Sequence, residues 1–146
     1  MTRKFNIVVA DDDRNDLDLL KLAVQKSGVR VELREVRDGH EAIEYLEGQG
    51  CYHDRSTYPF PDLLILDLKM PRLDGLEVLE WLRGHPHYKR LPAIMLSSSV
   101  LERDVDEAYR RGANTYFTKP GEYRKFADLV RVMIDYWEQS QRSQLK

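Results

Sequence analysis

The chain has a single cysteine, Cys51, among its 146 residues, so no internal disulfide can form. A lone thiol suits a reducing compartment, and Cys51 reads as an incidental loop thiol rather than a nucleophile. No apolar run approaches the ~18 residues that a membrane-spanning helix needs. The opening Met1-Thr2-Arg3-Lys4 leads only into a short apolar run, Ile7 to Ala10, which Asp11-Asp12-Asp13 ends. That pattern does not fit a secretory signal. A basic surplus is also missing: 23 Lys and Arg stand against 25 Asp and Glu, a formal net charge of −2. Dedicated nucleic-acid binders usually carry such a surplus. Internal repeats and low-complexity tracts are absent. These absences predict a cytoplasmic protein that engages neither membrane nor nucleic acid.

What is present is 42% apolar and 33% charged residues, enough hydrophobic material for a charge-dressed globule. The length suits one domain spanning 1–146, with a core over about 5–138 and a polar tail over 140–146. Short apolar runs alternate with helix-period stretches. Strands are predicted over 5–10, 30–36, 63–66, 92–96 and 115–118. Helices are predicted over 15–27, 39–48, 76–84, 101–111 and 122–140. Ser27-Gly28 and Gly112 supply helix stops, and the polar, Gly- and Pro-bearing stretch of about 48–61 reads as a long loop. Five strands alternating with five helices predict an α/β fold, with a parallel sheet and helices on both faces.

In such sheets functional residues gather beyond the carboxyl ends of the strands. Asp11, Asp12 and Asp13 end the first strand, Asp67 the third, Ser97 the fourth and Lys119 the fifth. Crowded carboxylates repel unless a cation joins them, and an all-oxygen donor set suits Mg²⁺. A lysine and a hydroxyl nearby can hold phosphate oxygens. This is equipment for placing a phosphoryl group on a carboxylate.

The motifs Ile7-Val8-Val9-Ala10-Asp11-Asp12-Asp13, Leu66-Asp67-Leu68-Lys69-Met70-Pro71-Arg72-Leu73-Asp74-Gly75, Met95-Leu96-Ser97 and Tyr116-Phe117-Thr118-Lys119-Pro120 together resemble the receiver domain of two-component response regulators of the chemotaxis-regulator type. Ser97 follows Asp67 by 30 residues and Lys119 follows it by 52, spacings that suit the family. The resemblance spans 5 to about 138. It implies a flavodoxin-like, doubly wound sheet of order 2-1-3-4-5. It makes Asp67 the phosphoacceptor and places Mg²⁺ on Asp12, Asp67 and the Lys69 backbone carbonyl, with Asp11 assisting through water. It makes Lys119 the phosphate-pairing cation, Ser97 the switch hydroxyl and Tyr116 the aromatic switch. Pro120 would hold a cis bond that aims Lys119, and Asp74-Gly75 would close the turn before the third helix. Asp13 and Asp16 read as helix-start groups at a positive dipole end.

Three features depart from the common pattern. The loop from Gly48 to Pro61 is about ten residues longer than usual in the family, Lys69 occupies a position that varies there, and Gly121 follows Pro120 where a bulkier residue is common. The long loop, Tyr58-Pro59-Phe60-Pro61-Asp62 and Tyr136-Trp137 resemble the small response regulators that accompany cyanobacterial and bacterial phytochromes. The implied partners are therefore a sensor histidine kinase, possible phytochrome kinases among them, and a downstream relay protein. Several residues also carry ordinary readings. Ser98 and Ser99 are loop polar groups, His85-Pro86-His87 is a solvated turn, and Arg110-Arg111 is a solvated helix end. The stripe Phe126, Leu129, Val130, Met133 and Trp137 is core, whereas Val132 and Tyr136 are left over and suggest a homodimer through the last helices. Two other functions compete: an aspartate-nucleophile phosphohydrolase, whose bare Asp-x-Asp pattern Asp11-x-Asp13 fits, and a phosphate-independent pseudo-receiver that only binds a partner.

Overall fold

The computed structural model describes residues 4–140, and most of the predicted tail, 141–146, lies outside them. Five strands form one parallel sheet: β1 (Phe5–Ala10), β2 (Val31–Val36), β3 (Leu63–Leu66), β4 (Ala93–Ser97) and β5 (Thr115–Thr118). Five helices alternate with them: α1 (Arg14–Ser27), α2 (Gly39–Glu47), α3 (Gly75–Gly84), α4 (Glu102–Arg110) and α5 (Tyr123–Gln139). The strand order is β2-β1-β3-β4-β5, the expected doubly wound arrangement. Among the described residues no helix is long and apolar enough to cross a membrane.

The period-two alternation of a strand divides the core between two faces. Val8, Ala10, Leu64, Leu66 and Met95 point to one side, where Ala42, Leu46, Val78, Leu79 and Leu82 of α2 and α3 cover them. Ile7, Val9, Leu63, Ile65 and Leu96 point to the other, under Leu17 and Leu20 of α1 and Phe126, Val130 and Met133 of α5. Burial on both faces explains why β3 is apolar throughout. The edge strand β2 is mostly half-buried, in keeping with its mixed composition. On α5 the stripe is buried as predicted at Phe126, Val130 and Met133, joined by Ile134, while Leu129 and Trp137 are partly covered.

Helix ends follow local chemistry. Asp13 caps α1 by accepting from the N–H groups of Asn15 and Asp16, and Gly28 ends it with a φ of 78° that favours glycine. Predicted and observed boundaries differ by one residue at most helix ends, as fraying terminal turns do.

The long loop is more structured than its composition suggests. It contains a short 3-10 turn, Gly50–His53, and wraps around Arg55. The Arg55 guanidinium donates to the carbonyls of Tyr45 (2.9 Å) and Leu46 (2.8 Å) in the last turn of α2 and to that of Tyr58 (3.3 Å) in the loop. It also lies over the rings of Tyr45 and Phe60. Tyr45, Tyr52 and Tyr58 pack together, and the Tyr45 hydroxyl donates to the Pro59 carbonyl at 2.9 Å. Arg55→Ala should therefore lower the unfolding free energy by about 1–3 kcal/mol in urea titrations. Lys125→Ala, on the exposed side of α5, should stay within about 0.5 kcal/mol of the parent.

Candidate functional site

Strand register brings the site together. Ala10 lies beside Leu66 in the sheet, so the residues that follow, Asp11 and Asp67, emerge side by side. The Asp67 N–H still donates to the Ala10 carbonyl (2.9 Å), which extends the ladder by one rung. On the other side of β3, Ser97 ends β4, and the Lys119 N–H donates to its carbonyl at 2.7 Å. This is where strand order reverses, because β1 leads away to β2 in one direction and to β3 in the other. α3 begins close by: Asp74 caps it in a reciprocal pair with Glu77. A Cβ at Gly75 would overlap the Asp67 carbonyl oxygen, so only glycine allows α3 to start there.

The Lys119 ammonium is the centre of the arrangement. It donates to Asp11 (2.7 Å), Asp16 (2.7 Å) and Asp67 (3.2 Å), with 8% of its side chain exposed. Burial pulls its pKa down, but the hydrogen bonds to Asp11 and Asp16 outweigh that and leave it above the ordinary lysine value. Asp67 goes the other way. Burial pushes its carboxyl from 3.8 up to about 6, Lys119 opposes that rise, and Asp11 reinforces it. Ionised Asp67 is therefore an anion short of neutralisation.

Oxygen atoms of Asp11, Asp12 and Asp67 lie within 4.8 Å of one another. Asp11 is buried and Asp12 exposed, so the cluster has a closed inner side and an open outer one. An all-carboxylate set at this spacing fits a hard divalent cation. The cluster opens into a cleft of about 490 Å³ whose walls include Asp12, Asp16, Asp67, Lys69, Ser97 and Lys119. Asp13 also lines the cleft, and one of its carboxylate oxygens accepts the two N–H bonds that cap α1.

Beyond the cleft, Ser97 is buried, and its hydroxyl accepts from the Ser99 N–H at 3.2 Å. The Ser99 hydroxyl donates to Asp104 in the first turn of α4 at 2.5 Å. The Ser99 carbonyl accepts from the Tyr116 hydroxyl at 2.9 Å. Ser99, expected to be only a loop polar group, thus ties Ser97, α4 and Tyr116 together. Tyr116 is half-buried against the α2–α3 face of the sheet.

Three expectations need correction. No peptide bond among the described residues is cis, so Pro120 follows Lys119 through a trans bond. Trans is the lower-energy isomer even before proline, and Lys119 is aimed instead by its backbone bond to Ser97 and its three carboxylates. Asp16 is more than a helix-start group, since it reaches across to Lys119. An acid in the first turn of a helix reads the same whether or not it has a distant partner, and no spacing rule links residues 16 and 119. Likewise Arg111 is not simply solvated but pairs with Glu107 and Glu80.

Comparison with known proteins agrees with this geometry. The family model described as the response regulator receiver domain matches residues 7–131. Response regulator Rcp1 of Synechocystis sp. is 33% identical over 131 residues, covering 90% of this chain and 87% of that protein. The crystal structure of the phosphorylated cyanobacterial phytochrome response regulator RcpA superposes with a TM-score of 0.89 at 32% identity, covering 97% of this chain and 100% of that one. The Mn²⁺-bound form of Rcp1 gives a TM-score of 0.85 at 31% identity, covering 96% of this chain and 99% of the other. With its sheet order, its acidic cluster and its buried lysine in place, the chain belongs to the response regulator receiver family and is a homologue of phytochrome response regulators.

Proposed function

We propose that this chain is a single-domain, cytoplasmic phosphorylation switch that accepts a phosphoryl group on Asp67 from the phosphohistidine of a sensor kinase. The observation that carries the reading is Lys119 held 3.2 Å from Asp67 at the inner wall of an acidic cleft. In the transfer, an Asp67 carboxylate oxygen bonds to phosphorus while the phosphorus–nitrogen bond to imidazole breaks, and the imidazole leaves with the electron pair and takes up a proton. Lys119 turns an N–H towards a phosphoryl oxygen, and the Ser97 hydroxyl donates to another. Mg²⁺, bound by Asp12, Asp67 and the Lys69 carbonyl with Asp11 acting through water, would offset the charge gathering on the phosphoryl oxygens. The Mn²⁺-bound relative and the oxygen-only donor set support that assignment.

Movement of Ser97 towards the phosphoryl group would strain its bond from the Ser99 N–H. Ser99 also holds Tyr116 and Asp104, so the change reaches α4 and β5. The output is a changed surface for a partner: a second copy of the chain through the last helices, or a downstream relay protein. Val132 and Tyr136, 61% and 66% exposed on α5, support the homodimer. The likeness to RcpA, a phytochrome response regulator, supports a phytochrome kinase as the phosphodonor. The only turnover expected is the protein's own phosphorylation and dephosphorylation.

Incubation with Mg²⁺ and acetyl phosphate should give an acid-stable, base-labile adduct, and Asp67→Asn should give none. An equal adduct on the variant, or none on the parent, contradicts the proposal. Phosphate release from many esters would favour the hydrolase instead. Sedimentation at micromolar concentration should detect the dimer, and a monomer with and without a phosphate mimic would exclude it.

The electrostatics give a further expectation. The folded-state pKa of Asp67, about 6, lies above its ordinary 3.8. Between about pH 4 and pH 6 the folded metal-free protein therefore holds more protons than the unfolded chain, and Asp67's contribution to stability falls as pH rises across that window. Above it, Asp67→Ala should melt no lower than the parent in metal-free buffer, and higher if repulsion dominates, while Mg²⁺ binding weakens. Parental Mg²⁺ affinity should also fall as pH drops below about 6. A variant melting several degrees lower at pH 7.5 would contradict this charge balance.

A further inference from the structure

Lys119 and a divalent cation compete for the same oxygens. An ammonium has three N–H donors, and here all three meet carboxylates: Asp11, Asp16 and Asp67. Two of those partners, Asp11 and Asp67, belong to the cluster whose oxygens lie within 4.8 Å of one another. Asp16 does not. It sits on the first turn of α1, where its own N–H donates to the capping carboxylate of Asp13 at 3.2 Å, and it faces the same cleft. A cation drawn to the cluster takes charge from Asp11 and Asp67 and so loosens their hold on Lys119. It also brings two positive centres together. Asp16 is the one lysine partner that such a cation does not claim.

We propose that Asp16 is a positioning residue that draws the Lys119 ammonium aside, so that a divalent cation and the lysine occupy the cleft together. This rests on the metal site proposed above. It separates two roles that a bare acidic cluster would confuse: Asp11, Asp12 and Asp67 receive the cation, whereas Asp16 receives the displaced lysine contact. Without Asp16, Lys119 leans wholly on Asp11 and Asp67 and must be pushed off them by the incoming ion.

Loss of a negative charge near the cleft weakens cation binding by itself, so the test must separate that general effect from one exerted through lysine. A double-mutant cycle does so. Mg²⁺ is titrated calorimetrically into the parent, Asp16→Asn, Lys119→Gln and the double variant. Asn keeps the shape of a side chain that is one-quarter exposed, so the fold should persist. The expected result is a Kd for Mg²⁺ raised about fivefold by Asp16→Asn when Lys119 is present, and less than about twofold in the Lys119→Gln background. Equal shifts in both backgrounds would make Asp16 a mere background charge and overturn the proposal, as would an unchanged Kd in the lysine background. A parent that binds no Mg²⁺ would instead overturn the metal site on which the proposal rests.

Discussion

Lys119 stands among Asp11, Asp16 and Asp67, and the arrangement of the cleft depends on that contact. Two carboxylates about 4 Å apart repel by about 4 kcal/mol at an effective dielectric near 20, and more as water is withdrawn. The lysine offsets this at the inner wall, where Asp11 is 6% and Asp67 12% exposed at the side chain. At Asp67, burial together with the Asp11 charge outweighs the lysine, and the carboxyl pKa stays raised. A cleft left in that condition favours whatever brings further positive charge. The same imbalance that costs the metal-free protein stability thus makes the site receptive to a divalent cation.

The sheet makes this contact between residues more than a hundred positions apart. Ala10 and Leu66 are neighbours in register, so Asp11 and Asp67 leave the sheet together. Lys119 leaves β5 two strands away and is tied back to β4 through the Ser97 carbonyl. Gly75 lets α3 start against the Asp67 backbone, and the Asp74 cap fixes that start. On the far side, Ser99 joins Ser97, Asp104 of α4 and Tyr116 through hydrogen bonds. Asp67, Lys119 and Ser97 are therefore held by main-chain ties at strand ends rather than by long flexible loops.

Much of this was legible in the chain itself. Apolar runs ending in Asp67 and Ser97 located two strand ends, because a strand buried on both faces must change character where it meets solvent. Gly28 marked a helix end through local backbone chemistry, and the family resemblance placed the turn before α3 at Asp74-Gly75. What stayed hidden depends on distant contacts. Arg55 looks like any loop arginine until the carbonyls ending α2 are seen beside it. Asp16 looks like a dipole-compensating acid until Lys119 arrives from the far end of the chain. Asp13, by contrast, was legible as a helix-start group, and its cap on α1 agrees. Family resemblance misled at Pro120, where the structure has a trans bond.

The most direct test of Asp67 as the acceptor is chemical mapping. Reduction of the phosphorylated protein with borohydride converts a phosphoaspartyl residue to homoserine, and peptide mass spectrometry then locates it. Homoserine at position 67, formed only when Mg²⁺ and phosphodonor are both present, is the expected result. Homoserine at position 11, 12 or 16, or at none, would contradict the assignment of Asp67 as the phosphoacceptor.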